Sequence, residues 1–284
     1  MFRKREDGLE RALWPWCMPA LALAVISTWR AGLQGWVNVP VYIGLFLGWT
    51  VALIVVWVVL VYLLSLTVDL KKPEREDSPF HRWIVVTTVG LLCCIGRLRI
   101  ETEGLENLPE GRFLLVGNHR SNYDPIVAIW ALRQKGVDIA FVTKPENMKI
   151  PLVRVIHKAN YLVINREDPR KAIETIQAAA DLLRRDVVNV GIYPEGTRSK
   201  SVQMMPFHNA VFKIAKRADV PMAVAAIAGT EKIHENAPWR STKVTLKLCA
   251  VLDRAEVAAS STKELGERVW TALEQAARQE MAQG

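Results

Sequence analysis

The chain predicts an α/β fold: a mixed, largely parallel sheet flanked by helices, preceded by an N-terminal transmembrane helical hairpin. Three features of the sequence predict it. From Arg97 onward, short apolar runs alternate with helix-length segments, the pattern of strands joined by helical crossovers. Between Arg11 and Asp69 the only charged residue is Arg30. Three of the apolar runs end in polar residues able to do chemistry, at Asn118-His119, Asn165-Arg166 and Glu195 to Arg198. In open α/β sheets ligands bind at such strand ends.

The N-terminal tract splits into two hydrophobic segments, 12–29 and 37–68, each near or beyond the ~20 apolar residues that cross a hydrocarbon core. Pro15 and Pro19 weaken the first, which also reads as a signal peptide or an interfacial helix. Trp14, Trp16, Trp29 and Trp36 sit near segment ends, as aromatic rings do at a membrane interface. Arg3, Lys4, Arg5 and Arg11 precede the first segment and Lys71, Lys72 and Arg75 follow the second. This bias places both ends, and the domain beyond, on the cytoplasmic side of the cell membrane. Residues 1–70 thus read as a membrane anchor, 71–82 as a charged linker and 83–284 as the α/β domain. Trp83–Ile95 is apolar but too short to span, and Thr87, Thr88 and Gly90 weaken it as a helix.

Strands are expected at Arg99–Glu101, Phe113–Val116, Ile139–Val142, Tyr161–Ile164, Val188–Tyr193, Met222–Ile227 and Val244–Leu252. Helices are expected at Pro125–Gln134, Pro151–Lys158, Pro169–Arg185, Ala210–Arg217 and Thr262–Gln279. Asp168-Pro169 is a cap followed by a proline at the first helical position, and Ile173, Ile176, Ala180 and Leu183 share one helical face. Ser261 and Glu264 have the spacing of a capping box.

A formal net charge of +8 implies attraction to an anionic surface, nucleic acid or phospholipid. The basic residues form no single cluster and the hydrophobic tracts have no place in a nucleic-acid module, so phospholipid is favoured. Cys17, Cys93, Cys94 and Cys249 lie in or beside apolar stretches without metal-ligand spacing. They read as buried small hydrophobes, and no metal or disulfide framework is expected.

The chemistry concentrates at Asn118-His119-Arg120-Ser121-Asn122-Tyr123-Asp124. Were this stretch helical, His119 and Asp124 would lie about 140° apart around the axis. They meet only if the segment is a loop that bends back before a helix. Asp124-Pro125 supplies the bend, and Asp124 can equally be the N-cap of that helix. A histidine held by a carboxylate is the usual apparatus for taking a proton from an alcohol. A serine hydrolase would want a G-x-S-x-G elbow, which is absent. At Tyr193-Pro194-Glu195-Gly196-Thr197-Arg198-Ser199, a turn offers backbone N–H groups, a hydroxyl and a guanidinium, a set suited to phosphate. Arg166, at the end of another strand, is a second cation for it.

These two blocks, with Ile164-Asn165-Arg166 and Val220-Pro221, occur in the order and approximate spacing of the four sequence blocks of the glycerolipid acyltransferase family, which residues 85–255 resemble. The resemblance implies acyl transfer from a thioester, acyl-CoA or acyl carrier protein, to a glycerol hydroxyl, with no other cofactor. It implies His119 as general base and Asp124 orienting it, with Lys144 as a further cation near the site. By their chemistry, Arg166 and Arg198 suit the acceptor phosphate, Gly196 and Thr197 add N–H and hydroxyl donors, and Glu195 holds a glycerol hydroxyl or orients an arginine. Lysophosphatidic acid is the expected acceptor, giving phosphatidic acid for phospholipid biosynthesis. Glycerol-3-phosphate or another lysophospholipid is the alternative, as is a non-catalytic lipid-binding protein of the same fold.

Overall fold

A computed structural model describes residues 9–70, 78–165, 168–199 and 203–281. In chain order, helices α1 (Leu9–Arg30), α2 (Val39–Leu66) and α3 (Pro79–Ile95) come first. Then follow β1 (Leu98–Glu103), β2 (Leu114–Gly117), α4 (Asp124–Arg133), β3 (Ile139–Thr143), α5 (Pro151–His157), β4 (Leu162–Val163), α6 (Pro169–Arg184) and β5 (Asn189–Ile192). The chain continues through α7 (Lys213–Ala218), β6 (Met222–Ala228), α8 (Ile233–Asn236), β7 (Thr242–Leu252), α9 (Arg254–Ala259) and α10 (Thr262–Met281). The seven strands lie in the order β1-β7-β6-β2-β5-β3-β4. Every neighbouring pair is parallel except β6 with β7. Strands β2 to β6 therefore all end at the same edge of the sheet, and the loops leaving β2, β5 and β6 become neighbours there.

The central strands read as unbroken apolar runs because helices cover both faces. Leu114, Val116, Val190, Met222 and Val224 are essentially inaccessible to water. Local signals set the helix ends. The Asp168 side chain accepts hydrogen bonds from the N–H groups of Arg170 (3.0 Å) and Lys171 (3.3 Å) at the start of α6. Ser261 and Glu264 close a reciprocal capping box on α10, at 2.6 and 3.2 Å. Leu265, Val269 and Leu273 of α10 are buried in the core, as are Ile176, Ala180 and Leu183 of α6, whereas Ile173 faces solvent.

Helices α1 and α2 are long and apolar enough to cross a membrane by length and composition. Their outer faces expose Trp14, Leu21, Val25, Val55 and Leu63, and at their connected tip Trp29, Trp36 and Val37 are largely uncovered. At the other end they pack on the α/β domain. Trp57 of α2 meets Trp16 of α1 and Trp83 of α3 edge to face, at ring separations of 5.5 and 5.3 Å. Its indole N–H donates to Thr88 Oγ1 at 3.1 Å.

The doubt cast on α3 by its threonines and glycine is removed by their contacts. Thr88 satisfies that indole. Gly90 lets Trp130 approach so closely that a Cβ would lie 2.6 Å from its ring and 3.0 Å from Ala12. Arg82 of α3 and Arg133 of α4 both reach Asp138 at 2.8 Å, tying the two helices to the start of β3. Of the charged stretch expected as a linker, residues 71–77 lie outside the described residues, and α3 already begins at Pro79.

Candidate active site

His119 follows β2 and Asp124 opens α4, with the loop between them turning back as the Asp-Pro junction requires. His119 Nδ1 lies 2.8 Å from Asp124 Oδ2. Asp124 is completely buried, while His119 keeps 18% of its side chain exposed. The same Oδ2 accepts hydrogen bonds from the N–H groups of Arg120 (2.6 Å) and Ser121 (2.8 Å). Asp124 therefore does not cap α4 with its side chain: the carboxylate points back into the loop that carries the histidine. Its other oxygen, Oδ1, accepts the hydroxyl of Thr230, beyond the end of β6.

A second carboxylate holds the histidine from behind. Glu195 is buried, with its Oε1 accepting the His119 N–H at 2.7 Å and its Oε2 the Met205 N–H at 2.8 Å. Burial raises its pKa above the usual carboxylate range, and the two N–H donors oppose that rise. Glu195, expected to hold a glycerol hydroxyl or orient an arginine, is instead buried with each oxygen bonded to a backbone N–H inside the protein. Ser199 adds a third tie, its N–H and hydroxyl donating to the His119 carbonyl at 2.8 and 3.2 Å. Asn118 stitches the end of β2 to β6, donating to the Ile227 carbonyl at 2.9 Å and accepting its N–H at 2.8 Å.

The imidazole lies nearly parallel to the Tyr193 ring, at 4.5 Å and 8°, and Tyr193 in turn stacks on Phe141 at 5.2 Å. Burial, with the nearby Asp124 carboxylate, pushes the Tyr193 phenol pKa well up and keeps it protonated. This aromatic pile fixes the ring plane of His119, leaving Nε2, the nitrogen not turned to Asp124, as the one able to meet a substrate.

His119 opens onto a cavity of about 440 Å³ whose inner walls are apolar: Ile84, Val85 and Val89 of α3, Ile129 of α4, Val155 of α5 and Val61 of α2. Lys144, Asn122, Gly196, Thr197 and Arg198 also line it. Thr197 and Arg198 are exposed. The Gly196 N–H, expected to serve a phosphate, instead donates to the Tyr193 carbonyl at 3.1 Å and shapes the turn. Arg166 lies outside the described residues. Among the described residues no group of three or more His, Cys, Asp or Glu could hold a metal ion. The tie from Asp124 to Thr230 and the brace from Glu195 were not expected from sequence. Gly229-Thr230, just past an apolar run ending at the same sheet edge, was the available signal for the first.

Residues 99–228 match the family model described as Acyltransferase. The chain is 30% identical over 163 residues to the chloroplastic 1-acyl-sn-glycerol-3-phosphate acyltransferase BAT2 of Brassica napus, covering 56% of this chain and 46% of that protein. It is 26% identical over 186 residues to the 1-acyl-sn-glycerol-3-phosphate acyltransferase of Haemophilus influenzae, covering 64% of this chain and 75% of that one. The chain thus spans about half the length of the plant relative and three quarters of the bacterial one. The crystal structure of the 1-acyl-sn-glycerophosphate acyltransferase PlsC from Thermotoga maritima is similar in fold. Its TM-score is 0.55 at 24% identity, over 78% of this chain and 88% of that one. On these matches, residues 99–228 of the chain are similar to proteins of the acyltransferase family.

Proposed function

We propose that the protein is a membrane-attached acyltransferase. It moves a fatty acyl group from a thioester donor, acyl-CoA or acyl carrier protein, to the free hydroxyl of 1-acylglycerol-3-phosphate, giving phosphatidic acid. The observation that carries this reading is a buried carboxylate-histidine pair, 2.8 Å apart, at the opening of an apolar cavity with an arginine among its lining residues. Such a cavity suits an alkyl chain, and the cation suits a phosphate.

His119 Nε2 takes the proton from the acceptor hydroxyl as its oxygen attacks the thioester carbonyl carbon. Asp124 holds the Nδ1–H, which sets the tautomer, and stabilises the imidazolium that forms. The C–S bond then breaks, and the leaving sulfur takes the proton back from the imidazolium. The step asks for no cofactor beyond the thioester itself. Arg198, with Thr197, holds the acceptor phosphate, and Arg166 is assigned to the same group from its place in the sequence. Glu195 acts on the reaction by fixing the His119 backbone.

The hydrophobic helices α1 and α2 attach the enzyme to the cell membrane, with the catalytic domain facing the cytoplasm where the donors are. The apolar cavity is walled partly by α2 and α3, so an acyl chain passes between bilayer and site without crossing water. The reading is tested by giving purified, detergent-solubilised protein one labelled acyl-CoA and a panel of acceptors. Labelled phosphatidic acid from lysophosphatidic acid supports it. Preferential transfer to glycerol-3-phosphate or another lysophospholipid reassigns the acceptor, and binding without turnover points to the non-catalytic alternative.

A further inference from the structure

We propose that Thr230 is a positioning residue for the reaction, acting through Asp124; the inference rests on the assignment of His119 and Asp124 just given. The argument begins with what holds the carboxylate. Oδ2 of Asp124 is pinned by two backbone N–H groups and by the imidazole, all from the loop between β2 and α4. Three donors on one oxygen fix where that oxygen sits but leave the carboxylate able to pivot about it. The pivot matters, because it decides whether a lone pair of Oδ2 stays in the imidazole plane, where the Nδ1–H must find it. Thr230 removes this freedom by donating its hydroxyl to Oδ1.

Thr230 is itself immobilised. It is fully buried and follows β6 directly after Gly229, whose φ is 84°. A Cβ at residue 229 would lie 2.3 Å from the Lys243 carbonyl, so the turn is pressed against β7 and only glycine fits. The side chain of Asn118 fixes the spacing between the His119 loop and the β6 end through its two hydrogen bonds to Ile227. A rigid path therefore runs from the β6–β7 pair through Thr230 and Asp124 to the imidazole. A buried threonine that merely satisfied its own hydroxyl could have bonded a carbonyl of its own turn. Here the acceptor is a carboxylate 106 residues away that bonds the base.

The test compares Thr230→Val, which keeps the shape and loses the hydroxyl, with Thr230→Ser and Thr230→Ala, which differ from each other only in the hydroxyl. His119→Ala runs in the same assay with labelled acyl-CoA and lysophosphatidic acid. The expected result for Thr230→Val is a kcat lower by about ten- to a hundredfold, the range for losing a hydrogen bond to a charged group, with both KM values within about twofold of wild type. Thr230→Ser recovers most of the rate. If Thr230→Val fails to fold, the pair decides alone, and Thr230→Ala turns over slower than Thr230→Ser by the same factor. The proposal is overturned if Thr230→Val keeps wild-type kcat while His119→Ala is inactive, or if Thr230→Ser is as slow as Thr230→Ala. Wild-type turnover by His119→Ala would instead show the underlying assignment to be wrong, and the role of Thr230 falls with it.

Discussion

The backbone N–H of His119 donates to Oε1 of Glu195 at 2.7 Å, while its ring nitrogen Nδ1 lies 2.8 Å from Asp124. Two buried carboxylates, one opening α4 and one in the turn after β5, thus hold one residue, one at the ring and one at the backbone. Neither needs to touch substrate for the imidazole to be placed.

The two acids should respond differently to amide replacement. In Asp124→Asn, the amide oxygen can keep the N–H groups of Arg120 and Ser121, and its NH2 can donate to Thr230, whose hydroxyl turns round to accept. Stability should fall by only about 1 kcal/mol. The negative charge that supports imidazolium is gone, so kcat should fall on the order of 10³–10⁴-fold. Asp124→Ala leaves two N–H groups without their acceptor and should cost about 1–3 kcal/mol for each. Thermal unfolding and steady-state rates on the two variants check this; near wild-type turnover by Asp124→Asn would contradict it.

Glu195→Gln must set its NH2 against one of two N–H donors, His119 or Met205. A loss of about 1–3 kcal/mol and a lower kcat with little change in KM are expected. The pH dependence has a definite sign. Burial raises the pKa of Glu195 in the folded state, so its contribution to stability is fully present below the ordinary carboxylate value and is lost as pH rises through the raised one. The gap in Tm between wild type and Glu195→Gln should therefore narrow as pH rises from the ordinary carboxylate range upward. A gap that widens over that range would mean that the two N–H donors outweigh burial.

Much of this was legible in the sequence, for physical reasons. The central strands read as short apolar runs between turn residues because the sheet is covered on both faces there, whereas β1 and β7 carry charged residues at their uncovered positions. The histidine and aspartate stood out because only a loop can bring them together over five residues. The Glu195 brace was hidden because a carboxylate beside Gly-Thr-Arg looks like a ligand group, and its second partner, Met205, lies ten residues on. The Thr230 tie depends on β6 lying beside β2, a strand order that no local pattern encodes. Helix α9 was missed although Asp253 and Glu256 form a capping box at 2.8 and 2.9 Å, the spacing that marked α10.

Arg198→Ala should raise the KM for a phosphorylated acceptor and leave that for the donor nearly unchanged. Because the guanidinium is exposed, the effect should sit at the low end for a charge-assisted contact, about tenfold. Arg198→Lys keeps charge without the planar fork and should recover only part of it. A change confined to the donor KM would assign this side chain to the thioester carrier instead.

If α1 and α2 form a membrane-inserted hairpin, the protein should stay with membranes through high-salt and alkaline washes, which strip electrostatically bound proteins. A cysteine placed at Gly32 or Gly35, at the connected tip, should react with an impermeant reagent added outside intact cells, and one at Lys72 should not. Reaction at Lys72 would put the catalytic domain on the wrong side for cytosolic donors.

The most direct measurement of the central claim is transfer of a labelled acyl group from acyl-CoA to lysophosphatidic acid by purified wild type and His119→Ala, with folding of both checked by thermal unfolding. Half-buried in a loop, the imidazole contributes little to the core, so the variant should unfold within a few degrees of wild type. Its rate should fall by at least about 10²–10⁴-fold, the range for a positioned general base. A folded His119→Ala protein that still makes phosphatidic acid at the wild-type rate would contradict the account.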